Sequence, residues 1–437
     1  MPEPPSAPNP DALAAALAQG ITGTSDQACD EGCGPDGEPC AYGVAPLGHG
    51  HFVTDLWEEV HSHKRVYFQL DYMSMWVKGN QLPPLVTTSP LGTPQAQAGV
   101  LPESATTSIL FGGDRVDIDQ RNGGRINLGY WLIDGEFLGV EGQYFALEPG
   151  HTTFDATSIF SDGIQPGDQI LARPFYNVDP NLPQPRQDAA IVAFPDPFTL
   201  LQWQGPLDGS IDIKTTSRLQ SAGALLRKLV WMDFTSRCRL DLLLGYRFMR
   251  YDDSVIINDA WDFIPNSGFF GPIHFNSQDT FSATNEFHGG ELGIKAQKYW
   301  GPLSAEIVAK CAFGNNHQQM YIDGSNTIIS GGSSSTTAGG LLAQPTNMGT
   351  YDRNVFAILP EGDVNLRLDL TPRLRATVGY TYVYMNRVQR SGEAINTTVN
   401  PTQLSGGTLQ GPAEPSFTFN STPFWAQGIT GGIEYRW

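Results

Sequence analysis

The chain has 437 residues, a formal net charge of −19 at pH 7, 40% hydrophobic residues and a mean hydropathy of −0.24. It lacks the basic excess needed to displace counterions from phosphates, which argues against a nucleic-acid partner. No run approaches the roughly 18 to 20 apolar residues of a transmembrane helix, so any membrane crossing must be made by strands, whose alternating faces keep mean hydropathy low.

Residues 1–63 are rich in Pro, Gly, Ala and acidic side chains. They read as a periplasmic amino-terminal extension, partly disordered, with a plug folded into the following domain as the alternative. The start, Met1-Pro2-Glu3-Pro4-Pro5, has neither a basic nor an apolar leader region, so a secretory leader is expected ahead of it in the native chain. Cys29, Cys33 and Cys40 cluster here, and one disulfide among them suits an oxidising envelope compartment. A zinc site joining these thiols with His49 or His51 is chemically open, but the paired C-x-x-C spacing is missing. Cys238 and Cys311 stand far apart, and Cys311 reads as a small apolar residue on an outward face.

From residue 64 the chain alternates with a period of two. Val66 to Trp76 sets Val66, Phe68, Leu70 and Tyr72 against Gln69 and Asp71. A long loop over 78–123 leads to Arg125–Leu132, with Arg125 and Asn127 opposite Ile126, Leu128 and Tyr130, then a tight turn at Asp134-Gly135. Leu138 to Ala146 follows with Glu141 and Gln143 inward, then a long loop over 148–208. Ile211 to about Leu226 alternates with Asp212, Lys214, Thr216, Arg218 and Gln220. The clearest strand places Leu240, Leu242, Leu244, Tyr246 and Phe248 on one side and Arg239, Asp241 and Arg247 on the other. After a loop of about 25 residues come Glu291–Lys298, with Lys295 inward, and Leu303–Phe313, with Glu306 and Lys310 inward. A Gly/Ser/Thr-rich loop over about 324–350 precedes a strand with Glu361, Asp363, Arg367 and Asp369 inward. Arg375 lies inward on its successor, and a loop of about 35 residues separates that strand from the last. The chain stops inside a strand with Ile433, Tyr435 and Trp437 on one face, the form of a barrel-assembly signal.

An even number of strands joined alternately by tight turns and long loops predicts an all-β fold. The expected form is a closed antiparallel transmembrane barrel of about ten strands, or twelve if a long loop adds a hairpin. Mixed charge at every other position would be costly in a soluble core but pairs or meets water in a lumen. Ten strands enclose a narrow interior. The inward charges therefore support two readings, a narrow passage for small solutes or ions and a salt-bridged plug. Asp114, Asp117 and Asp119 lack EF-hand spacing and read as a solvated loop. Gly112-Gly113 has no following lysine to cradle a phosphate. His288 and His317 near strand ends, beside serines, do not assemble a Ser-His-acid set, so no enzyme and no cofactor are expected.

Several motifs resemble one family. They include Trp76-Val77-Lys78-Gly79-Asn80, Leu82-Pro83-Pro84-Leu85, Phe111-Gly112-Gly113-Asp114-Arg115, Gly129-Tyr130-Trp131-Leu132, Leu171-Ala172-Arg173-Pro174-Phe175 and Leu244-Gly245-Tyr246-Arg247-Phe248. Phe287-His288-Gly289-Gly290, Gly340-Leu341-Leu342-Ala343-Gln344, Leu370-Thr371-Pro372-Arg373-Leu374 and Phe424-Trp425-Ala426-Gln427-Gly428 extend the likeness from about residue 65 to the end. The resemblance is to a family of outer-membrane β-barrel proteins expanded in planctomycetes, a domain of unknown function. It implies the barrel fold and a bacterial outer-membrane location; the strand layout, the terminal pattern and the long loops make membrane lipid, the barrel-assembly machinery and envelope or surface neighbours the expected partners. It brings no substrate and no catalytic residues.

Overall fold

A computed structural model describes residues 65–101, 106–133, 136–201, 203–266 and 271–437. The extension over 1–63, Cys29, Cys33, Cys40, His49, His51 and the Asp134-Gly135 turn lie outside the described residues.

Ten strands carry the alternating pattern: β1 (Val66–Val77), β2 (Gln120–Trp131), β3 (Leu138–Leu147), β4 (Trp203–Asp233), β5 (Cys238–Phe263), β6 (Ile273–Trp300), β7 (Leu303–Ser330), β8 (Gly349–Asp369), β9 (Leu374–Gln389) and β10 (Ser421–Arg436). Each pairs antiparallel with the next. The last pairs back onto the first in register from Tyr67↔Arg436 to Val77↔Ala426. Backbone groups along these strands thus find partners on both sides, as a lipid-exposed backbone requires. Short connections 234–237, 301–302 and 370–373 lie at the end of the ring that holds the start of β1 and the end of β10, here the turn end. The opposite end is the mouth.

The expected strand count needs correction. The main sheet holds seventeen strands rather than ten or twelve, because the connections at the mouth build strands of their own. Gly150–Ser158 continues the pairing of β3 along β4. Leu171–Asn177 pairs with Arg186–Leu200, which in turn pairs with the start of β4. Ser333–Ala338 folds back on β7, and Val86–Thr88 pairs with Ser108–Phe111. The predicted strand ends also fall short. β4 has 31 residues, β5 has 26, and β6 and β7 have 28 each, where a tilted spanning strand needs only about 9–11. The expected loop of about 25 residues before Glu291 is mostly the first part of β6, paired along β5.

Near the turn end the ring is apolar outside and charged inside. On β5, Leu244 is 51% exposed and Tyr246 47%, while Asp241 and Arg247 are 0% exposed. Farther along the same strand the faces exchange roles. Val255 and Ile257 are fully buried, and Asp252, Ser254 and Asn258 take the outward side. The same exchange places Asp212, Lys214 and Arg218 of β4 outside, with Ile211 and Ile213 within. Near the mouth, the ring's inward apolar residues pack on the connections, among them Leu82, Val86, Leu171, Phe175, Leu342 and Val399.

Candidate functional site: a charged interior beneath an apolar layer

The strand pleat sends alternate side chains inward, and at the turn end these are charged. Arg125 on β2 bridges Asp71 on β1 and Asp363 on β8, Nε–Oδ2 3.0 Å and Nη1–Oδ1 2.8 Å. Thr381 on β9 donates to the same Asp363 oxygen at 2.6 Å. Arg247 on β5 bonds Glu361, lies 3.9 Å from Glu291, and donates to Gln143 at 3.1 Å. Lys310 on β7 meets Glu361 at 2.7 Å and Gln143 at 2.9 Å. Closer to the turns, Arg367 holds Glu306 at 2.6 Å, and Lys295 sits 3.5 Å from Glu306 and 3.7 Å from Glu141. Asp241 receives Arg227 and Arg239, whose Nη1 also reaches Glu136 at 2.5 Å. Arg375 bonds Asp369 at 2.6 Å and lies 3.8 Å from Glu434.

The sequence-selected charges Arg125, Glu141, Arg239, Asp241, Arg247, Glu291, Lys295, Glu306, Lys310, Glu361, Asp363, Arg367, Asp369 and Arg375 thus fall into adjoining clusters of paired charges inside the ring. Every member is buried apart from the half-buried Glu141 and Asp369. Burying an isolated ion costs several kcal/mol even after relaxation, and pairing with further hydrogen bonds is what offsets that cost. Carboxylates and cations are close to balanced here, so the interior does not concentrate the chain's negative charge. Glu291 is the exception, since neither of its carboxylate oxygens has a hydrogen-bond partner among the described residues. The free space left among these groups is about 40 Å³, room for roughly three water molecules.

Toward the mouth the network ends at an apolar layer. Met73 and Met75 of β1, Phe145 of β3, Met249 of β5, Phe287 of β6 and Leu359 of β8 form it with Val383 of β9 and Phe424 of β10. All are at most 2% exposed. An ion crossing the interior would have to shed water against these side chains, at a level where the buried polar groups Arg121 and Asn316 stand opposite Met75 and Phe287.

Above the layer, polar pairs tie connections to the wall. Arg390, between β9 and β10, bonds Asp253 of β5 at 2.6 Å, and the Ser391 backbone N–H donates to the same carboxylate at 2.8 Å. Burial raises the Asp253 carboxyl above its usual range, although the Arg390 charge opposes the shift. Arg173 bonds Asp259 of β5 and Asp279 of β6, at 2.6 and 2.5 Å. Asp259 is likewise raised by burial, against the pull of Arg173 and aided by the neighbouring Asp279.

Sequence reading placed Asp71 opposite the apolar face of the first strand without selecting it, and missed Glu136, Arg227, Glu434 and all the pairs near the mouth. Arg227 lay just beyond the strand end expected at Leu226, and Glu434 was overshadowed by its neighbours Ile433 and Tyr435 in the terminal pattern. Arg173 and Arg390 sit in segments read as loop, where nothing local marks a partner on the wall. Other candidates fall elsewhere. Asp117 is spent on Arg121, Nη2–Oδ2 2.7 Å, and on the Ser217 hydroxyl. The outward-facing His288 Nδ1 meets the Tyr246 hydroxyl at 2.5 Å, and His317 lies 3.6 Å from Asp352. Cys238 and Cys311 are both free thiols. Ile433, Tyr435 and Trp437 are exposed on the outer face of the ring.

Among curated proteins, none matches the chain by sequence. Among solved structures, the outer membrane protease OmpT of Escherichia coli is 8% identical with a TM-score of 0.38, covering 85% of this chain and 97% of its own. The toluene transporter TodX of P. putida is 8% identical with a TM-score of 0.15, covering 87% and 91%. A Pseudomonas aeruginosa FadL homologue is 7% identical with a TM-score of 0.20, covering 86% and 91%. Overlaps this low say nothing of activity. The family model described as Putative beta barrel porin-7 (BBP7) matches residues 67–437, more than half of the chain, and the chain belongs to that family of membrane β-barrels.

Proposed function

We propose that the chain is a bacterial outer-membrane barrel of ten spanning strands whose interior is shut to solutes and which acts through its water-facing mouth. The observation that carries this reading is the stack of an apolar layer on a paired-charge network, with about 40 Å³ of space among the charges. A porin-like passage would need a continuous wet path, and the apolar layer interrupts it. The turn end, with both strand termini, is periplasmic, as is usual for outer-membrane barrels. The outward apolar stretch of β5 from Leu240 to Phe248 matches the length of a spanning strand. Everything beyond it stands outside the membrane and offers a polar surface to envelope or surface neighbours, while the barrel-assembly machinery reads the Ile433, Tyr435 and Trp437 face. His288 and His317 lie in mid-strand on the outer face rather than near strand ends as expected, and they are engaged by Tyr246 and Asp352 rather than by a serine, which favours a non-enzymatic role.

Conductance of the refolded protein in a planar bilayer tests the reading. Stable insertion without discrete openings is expected, and substitution of Phe287 by Ala, which thins the apolar layer, should introduce them. Openings in the wild type whose ion selectivity shifts in Arg247→Ala and Arg367→Ala would replace the sealed barrel with a narrow channel.

A further inference from the structure

At the mouth, β5 and β6 turn an aromatic pair inward. Trp261 and Phe275 are direct cross-strand partners, with ring centroids 4.8 Å apart and planes 14° from parallel. Facing them, the strand Arg186–Leu200 contributes Ala190 and Phe198, and the connections β7–β8 and β9–β10 contribute Leu341 and Leu404. A cavity of about 220 Å³ lies between. Close-packed interiors leave few voids larger than a water, and an engineered apolar cavity of about 150 Å³ holds benzene. This one has room for a single ring with a short substituent. The exposed Ser405 stands at its rim.

The polar end of the cavity sets the sign of what fits. Arg173 is committed to Asp259 and Asp279, and Asp279 also accepts the backbone N–H groups of Leu342 and Ala343. Asp259 gives only Oδ1 to Arg173, and its second oxygen has no donor among the described residues. One cation against two carboxylates leaves the cluster net negative, so a carboxylate or phosphate ligand is repelled and a hydrogen-bond donor is welcomed. The faces of Trp261 and Phe275 carry negative quadrupole charge and favour a cation in the same place.

We infer that this cavity is a binding pocket for a small primary amine with an aromatic or branched aliphatic body. The body fills the space between the aromatic pair and the hairpin strand, and the ammonium meets Asp259. The pocket lies on the mouth side of the apolar layer, so it stands whether or not the barrel conducts.

Calorimetric titration of the full chain, refolded in detergent micelles, with benzylamine, toluene and benzoate tests the pocket. Micelle uptake is non-saturable and common to every variant, so only a saturable component counts. Saturable benzylamine binding is expected, with benzoate weaker by at least about tenfold and toluene between them. Ala190→Phe fills the cavity and should abolish the saturable component while keeping the heat-modifiable gel mobility of a folded barrel. Ser405→Trp adds bulk at the exposed rim, with local strain at this left-handed backbone position (φ 55°), and should weaken benzylamine without touching the core. Benzoate binding as tightly as benzylamine, non-saturable uptake of all three probes, or a benzylamine affinity indifferent to both variants would each overturn the proposal.

Discussion

The two halves of the ring solve opposite solvent problems with the same strands. Near the turns, β5 shows Leu242, Leu244 and Tyr246 to the outside and hides Asp241 and Arg247; near the mouth it shows Asp252 and Asn258 and hides Val255 and Ile257. The backbone pairing does not change at the boundary, since β5 and β6 stay in one register from Cys238↔Lys298 to Phe263↔Ile273. Only the medium outside changes. Where it is lipid, apolar side chains outside cost nothing and polar ones collect within. Where it is water, the ordinary arrangement of a soluble protein returns, and an apolar interior can be packed with loops.

The sharpest way to break this comparison is to unpair a charge in the half that hides them. Arg247→Ala leaves Glu361 and Glu291 without their guanidinium and should cost about 3–5 kcal/mol, as for other buried pairs that lose one partner. Urea unfolding in lipid vesicles measures it. A loss under about 1 kcal/mol, the level of a solvated pair, would mean that water fills this interior and that the halves differ less than their burial suggests.

The outer faces should separate next. Leu244→Arg places a charge at the apolar band and should cost about 2–4 kcal/mol. Thr280→Arg, on the outward face of β6 near the mouth, should stay within about 0.5 kcal/mol as a water-facing substitution. The same unfolding measurement applied to both gives the contrast directly. Equal losses would move the membrane boundary to the mouth.

The change of medium also explains what could be read from the sequence. Strand parity was legible wherever outside and inside kept their roles, which is how Arg239, Asp241 and Arg247 were separated from Leu240, Leu242 and Leu244. At Phe248 the apolar residues shift from even to odd positions, continuing as Met249, Tyr251, Val255 and Ile257. A break in the apolar period looks like a strand end, so the alternation is followed on β5 only as far as Phe248 and on β6 only from Glu291. β6 shows the mirror case, with Phe281, Ala283 and Phe287 on odd positions before Leu292, Ile294 and Ala296 on even ones. The period of two runs through both. What the local pattern does not encode is which side water lies on, nor which loop residue reaches which strand, so Arg173 and Arg390 found their partners only in three dimensions.

The smallest effect concerns pH and belongs to the mouth. Burial raises the carboxyls of Asp253 and Asp259 above their usual range, so the folded chain holds these protons more tightly than the unfolded one. Where the folded state binds more protons, stability falls as pH rises. Their contribution is therefore fully present below the ordinary carboxylate value near 4 and is lost as pH climbs through the raised folded values. Asp253→Asn removes one of the two groups. Subtracting the variant's pH dependence from that of the wild type isolates it and cancels the lower network, which both proteins share. Protection of the β9–β10 connection from proteolysis, followed from pH 4 to 8, should decline with rising pH more steeply in the wild type than in Asp253→Asn. The opposite slope would mean that the pair with Arg390 outweighs burial, and that the mouth, like the turn end, depends on keeping its carboxylates charged.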